Sequence, residues 1–220
     1  MDVIIQFLGK YSNLEPVFFV FALIVFFSAF IKISTVFYIL RLGLGFNGIP
    51  SILVLSSLSF SLALYVMYPT IENVNLEFNN SLKSQSIGDL NTEQKKELYN
   101  SISNKWLKFI RQNTESRHIN RIAQVNSNND LKARQRESEL GWRTLLPAFV
   151  ISEITKAFKL GLTLFLPLLL IDLVVSTILT ALDIVNIDFF LVSLPLKIFL
   201  FIAVDGWSII STNLIKSYII

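Results

Sequence analysis

Apolar positions fill two long stretches of this 220-residue chain and yield to polar ones between them. Leu14 to Leu40 is almost uninterrupted Phe, Val, Ile and Leu, with Glu15 at one end and Lys32 inside. At about 1.5 Å rise per residue, such a run makes a helix long enough to cross a hydrocarbon layer about 30 Å thick. Arg41 to Pro50 then brings Gly43, Gly45, Gly48 and Pro50, residues that end a helix and turn the chain. Ile49 to Ile71 carries no charge over 23 residues, which predicts the second arm of a helical hairpin, stopping at Pro69.

A polar insert follows. Asn73 to Gly88 is rich in Asn and Ser, has few apolar anchors and reads as a loop. Asn91, with Gln94 three residues on, suits a helix N-cap, and Leu98, Ile102, Trp106, Phe109 and Ile110 recur at helical spacing as one apolar stripe. Arg117 to Glu139 mixes charges of both signs with few large apolar residues, the pattern of a solvated helix or of a segment without order.

The second hydrophobic block runs from Leu145 to the C-terminus, interrupted by Glu153, Lys156, Lys159, Pro167, Asp172, Asp183, Asp188, Pro195, Lys197 and Asp205. Two long helices joined near Asp183 to Asp188 are the simplest division. The expected fold is an all-α membrane protein: a hydrophobic helical hairpin over residues 1–71, a polar, partly helical insert over 72–143, and a second hydrophobic hairpin over 144–220.

Composition agrees: 53% of residues are hydrophobic and mean hydropathy is +0.58, above the roughly 45–50% apolar usage of soluble domains. Of the 35 charged residues, 21 fall between Glu72 and Arg143, 12 basic and 9 acidic, so the net charge of +3 describes a solvated insert and not a nucleic-acid surface. With no cysteine and His118 as the one histidine, disulfides are excluded, and neither zinc nor any other metal is expected. The N-terminus, Met1-Asp2-Val3-Ile4-Ile5, has no cationic region ahead of an apolar run, so no cleaved signal peptide is expected. Arg41 in a short loop favours the cytoplasm for that loop, hence the periplasm for the insert.

Charges inside membrane-length segments cost on the order of 2.5–3.5 kcal/mol each on insertion scales, so Lys32, Asp172 and Lys197 need partners or water. Either a neighbouring helix satisfies each one as structural glue, or they line a path for ions, protons or polypeptide. Glu153, Lys156 and Lys159 are spaced by three along a helix, share a side, and the first two can pair locally. A polar stripe on an apolar helix suggests a subunit interface or a lumen.

Three stretches resemble the FliP/SctR family of flagellar and virulence type III secretion, in order and spacing. The first is Phe30-Ile31-Lys32-Ile33-Ser34 with Leu40-Arg41, Leu44-Gly45 and Ile49-Pro50-Ser51. The second runs from Leu145-Leu146-Pro147-Ala148-Phe149-Val150-Ile151-Ser152-Glu153-Ile154 through Ala157-Phe158-Lys159-Leu160-Gly161 and Leu166-Pro167 to Ile171-Asp172-Leu173-Val174-Val175-Ser176. The third is Leu194-Pro195-Leu196-Lys197, Leu200-Phe201 and Val204-Asp205-Gly206-Trp207. The resemblance covers both hydrophobic blocks, whereas the insert carries nothing diagnostic.

That resemblance implies a core, pore-forming subunit of an export gate in the bacterial inner membrane, within the secretion basal body and partly on its periplasmic side. It implies a ring or shallow helix of about five copies with smaller FliQ/SctS-like and FliR/SctT-like partners, surrounded by membrane lipid and passing unfolded protein substrates. In such an assembly Lys32, Arg41, Glu153, Lys156, Lys159, Asp172, Lys197 and Asp205 would be buried at subunit interfaces or face a lumen, covered by protein in place of lipid.

The chain departs from the family at two places. Asn47-Gly48 stand where Gln-Gln is common, and Ile52 where Asn usually follows. The family's run of methionines between the last two helices aligns with Ile184-Val185-Asn186-Ile187. Methionine is unbranched and adaptable whereas Ile and Val are stiff at χ1, so a seal of these residues would be less compliant. The expected pore constriction is Ile184, Val185, Asn186 and Ile187 with Phe189 and Phe190. The other reading of that segment is an ordinary interhelical loop.

No nucleophile and base stand together, so an enzyme is not expected. No phosphate-cradling GxxxxGK[ST] loop occurs, and no cofactor is expected. The alternative function is an independent ion- or proton-coupled secondary transporter or channel using Lys32, Asp172, Asp183 and Asp188.

Overall fold

The computed structural model describes residues 15–45, 50–82, 92–129, 141–184 and 186–219. The described residues form α1 (Glu15–Leu44), α2 (Ile52–Leu82), α3 (Thr92–Asn113), α4 (Ser116–Asn129), α5 (Trp142–Ala181), α6 (Phe189–Ala203) and α7 (Gly206–Lys216), and they contain no strand. By length and composition α2 over Ile52–Leu76 and the 40-residue α5 can each cross a membrane, and α6 with α7 can do so as a pair bent by 61°. At about 1.5 Å per residue α5 is about 60 Å long, roughly twice the hydrocarbon thickness. Part of it must lie outside the bilayer or be covered by protein.

Several hydroxyls along these helices are satisfied inside the helix. Thr35 donates to the carbonyl of Ile31 (2.7 Å), Ser59 to Leu55 (2.7 Å), Thr155 to Ile151 (2.7 Å) and Thr163 to Lys159 (2.9 Å). Each returns its proton one turn back, the arrangement a low-dielectric surrounding demands.

The sequence expectation ended the second arm at Pro69 and read Asn73 to Gly88 as a loop, yet α2 continues through Pro69 to Leu82. Proline removes one amide and leaves the carbonyl of Tyr65 without its helical donor, a cost of about 3 kcal/mol. Val66, Met67 and Val74 are buried on either side of it, so burial before and after the proline outweighs the lost bond. The expected N-cap Asn91 and the residues from 130 to 140 lie outside the described residues, whereas Arg117 to Asn129 is helical as part of α4.

The chain divides into two compact units. In the unit that contains Leu64–Phe149, the α3 stripe does what its spacing predicts: Trp106, Phe109 and Ile110 are buried together with Leu145, Ala148 and Phe149. The rings of Phe109 and Phe149 lie 6.4 Å apart, and Nε1 of Trp142 donates to Oγ of Ser103 (2.8 Å), tying the first turn of α5 to α3.

The other unit joins Phe30–Ala63 with Val150–Ile219. Ile33, Val36, Phe37, Leu40 and Leu44 of α1 recur at three- and four-residue spacing and are all buried. Trp207 sits between Phe37 and Phe201, with ring centroids 6.0 and 5.0 Å away, the second pair edge to face. Glycine sets the approach of α5 to α1, because a Cβ at Gly161 would stand 2.5 Å from Cδ1 and 3.0 Å from Cβ of Ile39.

The last hydrophobic arm is not the single helix expected from the sequence. It breaks between α6 and α7 where Asp205 takes a left-handed conformation (φ 50°, ψ 49°). Its amide donates to the carbonyl of Ile202 while its own carbonyl accepts from Ile209, so one residue ends α6 and begins α7. Gly206 follows beneath the Phe201 ring, with no room there for a Cβ.

Candidate functional site: buried charges and an apolar interhelical loop

Two clusters collect most of the charges that the sequence singles out. In the first, Lys32 and Glu153 are both fully buried, with Nζ 3.2 Å from Oε2. The other carboxylate oxygen accepts from Lys156 at 3.1 Å, one turn further along α5. Lys32 also places its ammonium 3.3 Å from the centroid of the Tyr218 ring, where the negative face of the π-system attracts a cation most strongly once water is removed. Burial, reinforced by the Glu153 carboxylate, pushes the Tyr218 phenol well above its ordinary value of 10.0, so the ring stays neutral.

In the second cluster Lys197, 1% exposed, donates to Oδ2 of Asp172 (2.6 Å) and to the carbonyl of Gly43 (2.8 Å). Both clusters therefore join α1 to the second hydrophobic block, and they do so with the three charges that lie deepest in apolar segments. Arg41 is half-buried, and Lys159 and Asp205 are exposed. The structure brings Lys32, Glu153 and Lys156 together, and Asp172 with Lys197; the remaining three join neither group.

Between α5 and α6 the chain makes a short loop held by two aspartates. The end of α5 is a Schellman turn: Asp183 adopts φ 56°, the amide of Ile184 donates to the carbonyl of Leu179 (3.0 Å), and that of Asp183 to Thr180 (3.1 Å). The start of α6 is capped by Asp188, whose Oδ1 accepts from the amide of Phe190 (3.0 Å). The cap gives a structural role to the Asp188 carboxylate, one of those that the transporter alternative assigns to ions, whereas Asp183 takes part in its turn through the main chain.

The side chains of Ile184 and Ile187 are exposed, as are Asn186 and Phe190. Phe189 is half-buried and its ring lies 4.2 Å from that of Phe190. Val185 lies outside the described residues. An apolar loop presented outward on two rigid helix ends can pack against copies of itself or against partners. Asp188→Ala is expected to lower stability by about 1 kcal/mol through the lost cap, with Asp188→Asn close to the parent, read from thermal unfolding in detergent.

Tyr218 and the Gly43 carbonyl are the functional partners that sequence reasoning missed. Neither leaves a local signal, because each acts on a charge remote in the chain. An open apolar cleft of about 300 Å³ also lies between α1 and α2, lined by Phe30, Ser34, Tyr38, Ile52, Leu55 and Ser59 among others. Among the described residues, no group of three or more His, Asp or Glu side chains is placed to hold a metal ion.

A sequence model described as the FliP family matches residues 14–214. Surface presentation of antigens protein SpaP of Shigella flexneri is 34% identical over 196 residues, covering 87% of each chain. Yop proteins translocation protein R of Yersinia pestis is 32% identical over 194 residues, again 87% of each. Flagellar biosynthetic protein FliP of Aquifex aeolicus is 30% identical over 197 residues, covering 90% of this chain and 80% of its own. Apolar helices long enough to span a membrane, polar groups within them paired across helices, and a match running through both hydrophobic blocks lead to one assignment: the chain belongs to the FliP family.

Proposed function

We propose that the chain is a core subunit of a type III secretion export gate and forms part of the pore through which unfolded proteins cross the bacterial inner membrane. The observation that carries this reading is membership of the FliP family over nearly the whole chain, among relatives named for flagellar biosynthesis and for Yop protein translocation. The gate would hold about five copies of this chain in a closed ring, with FliQ/SctS-like and FliR/SctT-like subunits, and the insert over residues 72–143 would face the periplasm. Its work is structural, not enzymatic.

Physical features support the assembly. Phe158, Leu162, Leu166, Leu170, Leu173 and Ile178 of α5 are exposed on a helix about twice as long as the bilayer needs. Neighbouring subunits would cover what lipid cannot. The constriction falls at Ile184, Val185, Asn186 and Ile187 with Phe189 and Phe190, of which Ile184, Asn186, Ile187 and Phe190 are exposed.

Native mass in mild detergent tests the assembly: the expected result is a closed oligomer of about five copies that takes up the smaller partners. A monomer that ignores those partners yet moves ions in vesicles would establish the transporter instead. For the constriction, Ile184→Gly in the complete gate is expected to raise resting ion leak about tenfold, because removing the branched side chain opens an apolar constriction to water. Leak equal to the parent's would remove Ile184 from the seal.

A further inference from the structure

Lys197 bonds two other pieces of chain, and its own helix begins at the apolar loop. The Gly43 carbonyl it reaches (2.8 Å) belongs to the last turn of α1, where carbonyls lack helical donors and the helix dipole is negative. A cation is favoured there twice over. Asp172 of α5 completes the triangle at 2.6 Å.

Immediately beyond, Gly45 takes φ 77°, and its amide donates to the carbonyl of Leu42 (3.1 Å). A Cβ at Gly45 would lie 3.8 Å from Cδ1 of Phe190 and 4.0 Å from Nζ of Lys197. The turn at the end of α1 therefore lies beside both the Lys197 ammonium and the ring of Phe190, the second residue of α6. Two caps hold the α5–α6 loop from within, and the end of α1 stands next to the first turn of α6 that follows it.

We propose that Lys197 and Asp172 form a latch, a positioning pair that fixes the N-terminal end of α6 against the end of α1 and so sets how closely the α5–α6 loop can close the pore. The inference rests on the constriction reading given above. It assigns to Lys197 and Asp172 a role separate from gluing helices in lipid: they determine where the Phe190 end of the loop stands.

The test uses the complete gate reconstituted in vesicles, with Lys197→Met, the doubly neutral Asp172→Asn/Lys197→Met, and Lys197→Arg. The double variant guards against misfolding, since it leaves no unpaired buried charge. Two quantities are read: hydrogen exchange at the amides of Gly45 and Phe190, and resting ion leak. Lys197→Met and the double variant are expected to exchange faster at both amides and to leak about tenfold more, as a shift of about 1.4 kcal/mol away from the closed arrangement gives. Lys197→Arg, which keeps charge and donors, should restore both quantities.

Unchanged exchange at Gly45 and Phe190 would overturn the latch. Faster exchange without leak, in a gate that Ile184→Gly does open, would overturn its role in closure while the constriction stands. If neither Lys197→Met nor Ile184→Gly leaks, the constriction reading falls and takes the latch's purpose with it.

Discussion

Glu153→Ala is expected to be the most damaging of the single charge removals, lowering stability by about 3–5 kcal/mol. The carboxylate is fully buried between Lys32, itself fully buried, and Lys156. Among the described residues, removing it leaves Lys32 with the Tyr218 ring against its ammonium, which replaces a small part of a full ion pair. Lys156 is 24% exposed at its side chain and can swing its ammonium outward along its aliphatic stem. The loss therefore falls on Lys32. Thermal unfolding in detergent should show a midpoint lower by on the order of 10 °C. The double variant Lys32→Met/Glu153→Leu should recover most of it, because two apolar side chains of similar volume need no solvation. A midpoint for Glu153→Ala within a degree or two of the parent would show that the cluster is hydrated in the assembled protein, as a lumen-facing path would be.

The membrane-length helices were legible from apolar runs alone, since only a helix satisfies the backbone of one such segment by itself without water. The stripe on α3 was legible from its period instead, Trp106, Phe109 and Ile110 repeating at helical spacing and all being buried. Pro69 misled because a proline's local cost of about 3 kcal/mol was set against nothing; the burial of Val66, Met67 and Val74 that offsets it comes from tertiary packing. The break before α7 did leave a trace, Asp205-Gly206 being a turn dipeptide, but the apolar residues around it concealed the signal. Asp188 before Phe189 likewise has the form of an N-cap and was read only as a charge.

The charges themselves could be named from sequence as groups that require partners, whereas which partner each takes depends on how helices pack. Glu153 was expected to pair along its own helix with Lys156, and it does. Its deeper contact is with Lys32 of α1. Asp172 and Lys197 were both marked as needing compensation and compensate each other, and the third member, a main-chain carbonyl at Gly43, has no sequence signature at all. Tyr218 is similar: a tyrosine near the end of α7 becomes legible as a cation's neighbour only once Lys32 is seen beneath it.

Gly161→Val is the other substitution with a large expected effect, and its origin is steric. The glycine lies where α5 crosses α1, with the space for a Cβ already taken by Cδ1, Cβ and Cγ2 of Ile39 at 2.5, 3.0 and 3.1 Å. The terminal methyl can rotate away, but Cβ of Ile39 is fixed to its backbone, so a branched residue at 161 must push the two helices apart. Ile33, Val36, Phe37 and Leu40 are buried on the same helix as Ile39, and separation would expose part of them and lengthen the Lys32–Glu153 pair. The expected loss is about 3 kcal/mol, read as a lower thermal midpoint and reduced recovery of the oligomer. Gly161→Ala should lose less, and Gly161→Ala/Ile39→Ala should regain part of that loss, because it leaves only the 3.0 Å contact with Cβ. Gly141→Ala, where a Cβ meets nothing within 4 Å, serves as the control. Equal midpoints for Gly161→Val and Gly141→Ala would mean that α1 and α5 are not held in close contact at this crossing.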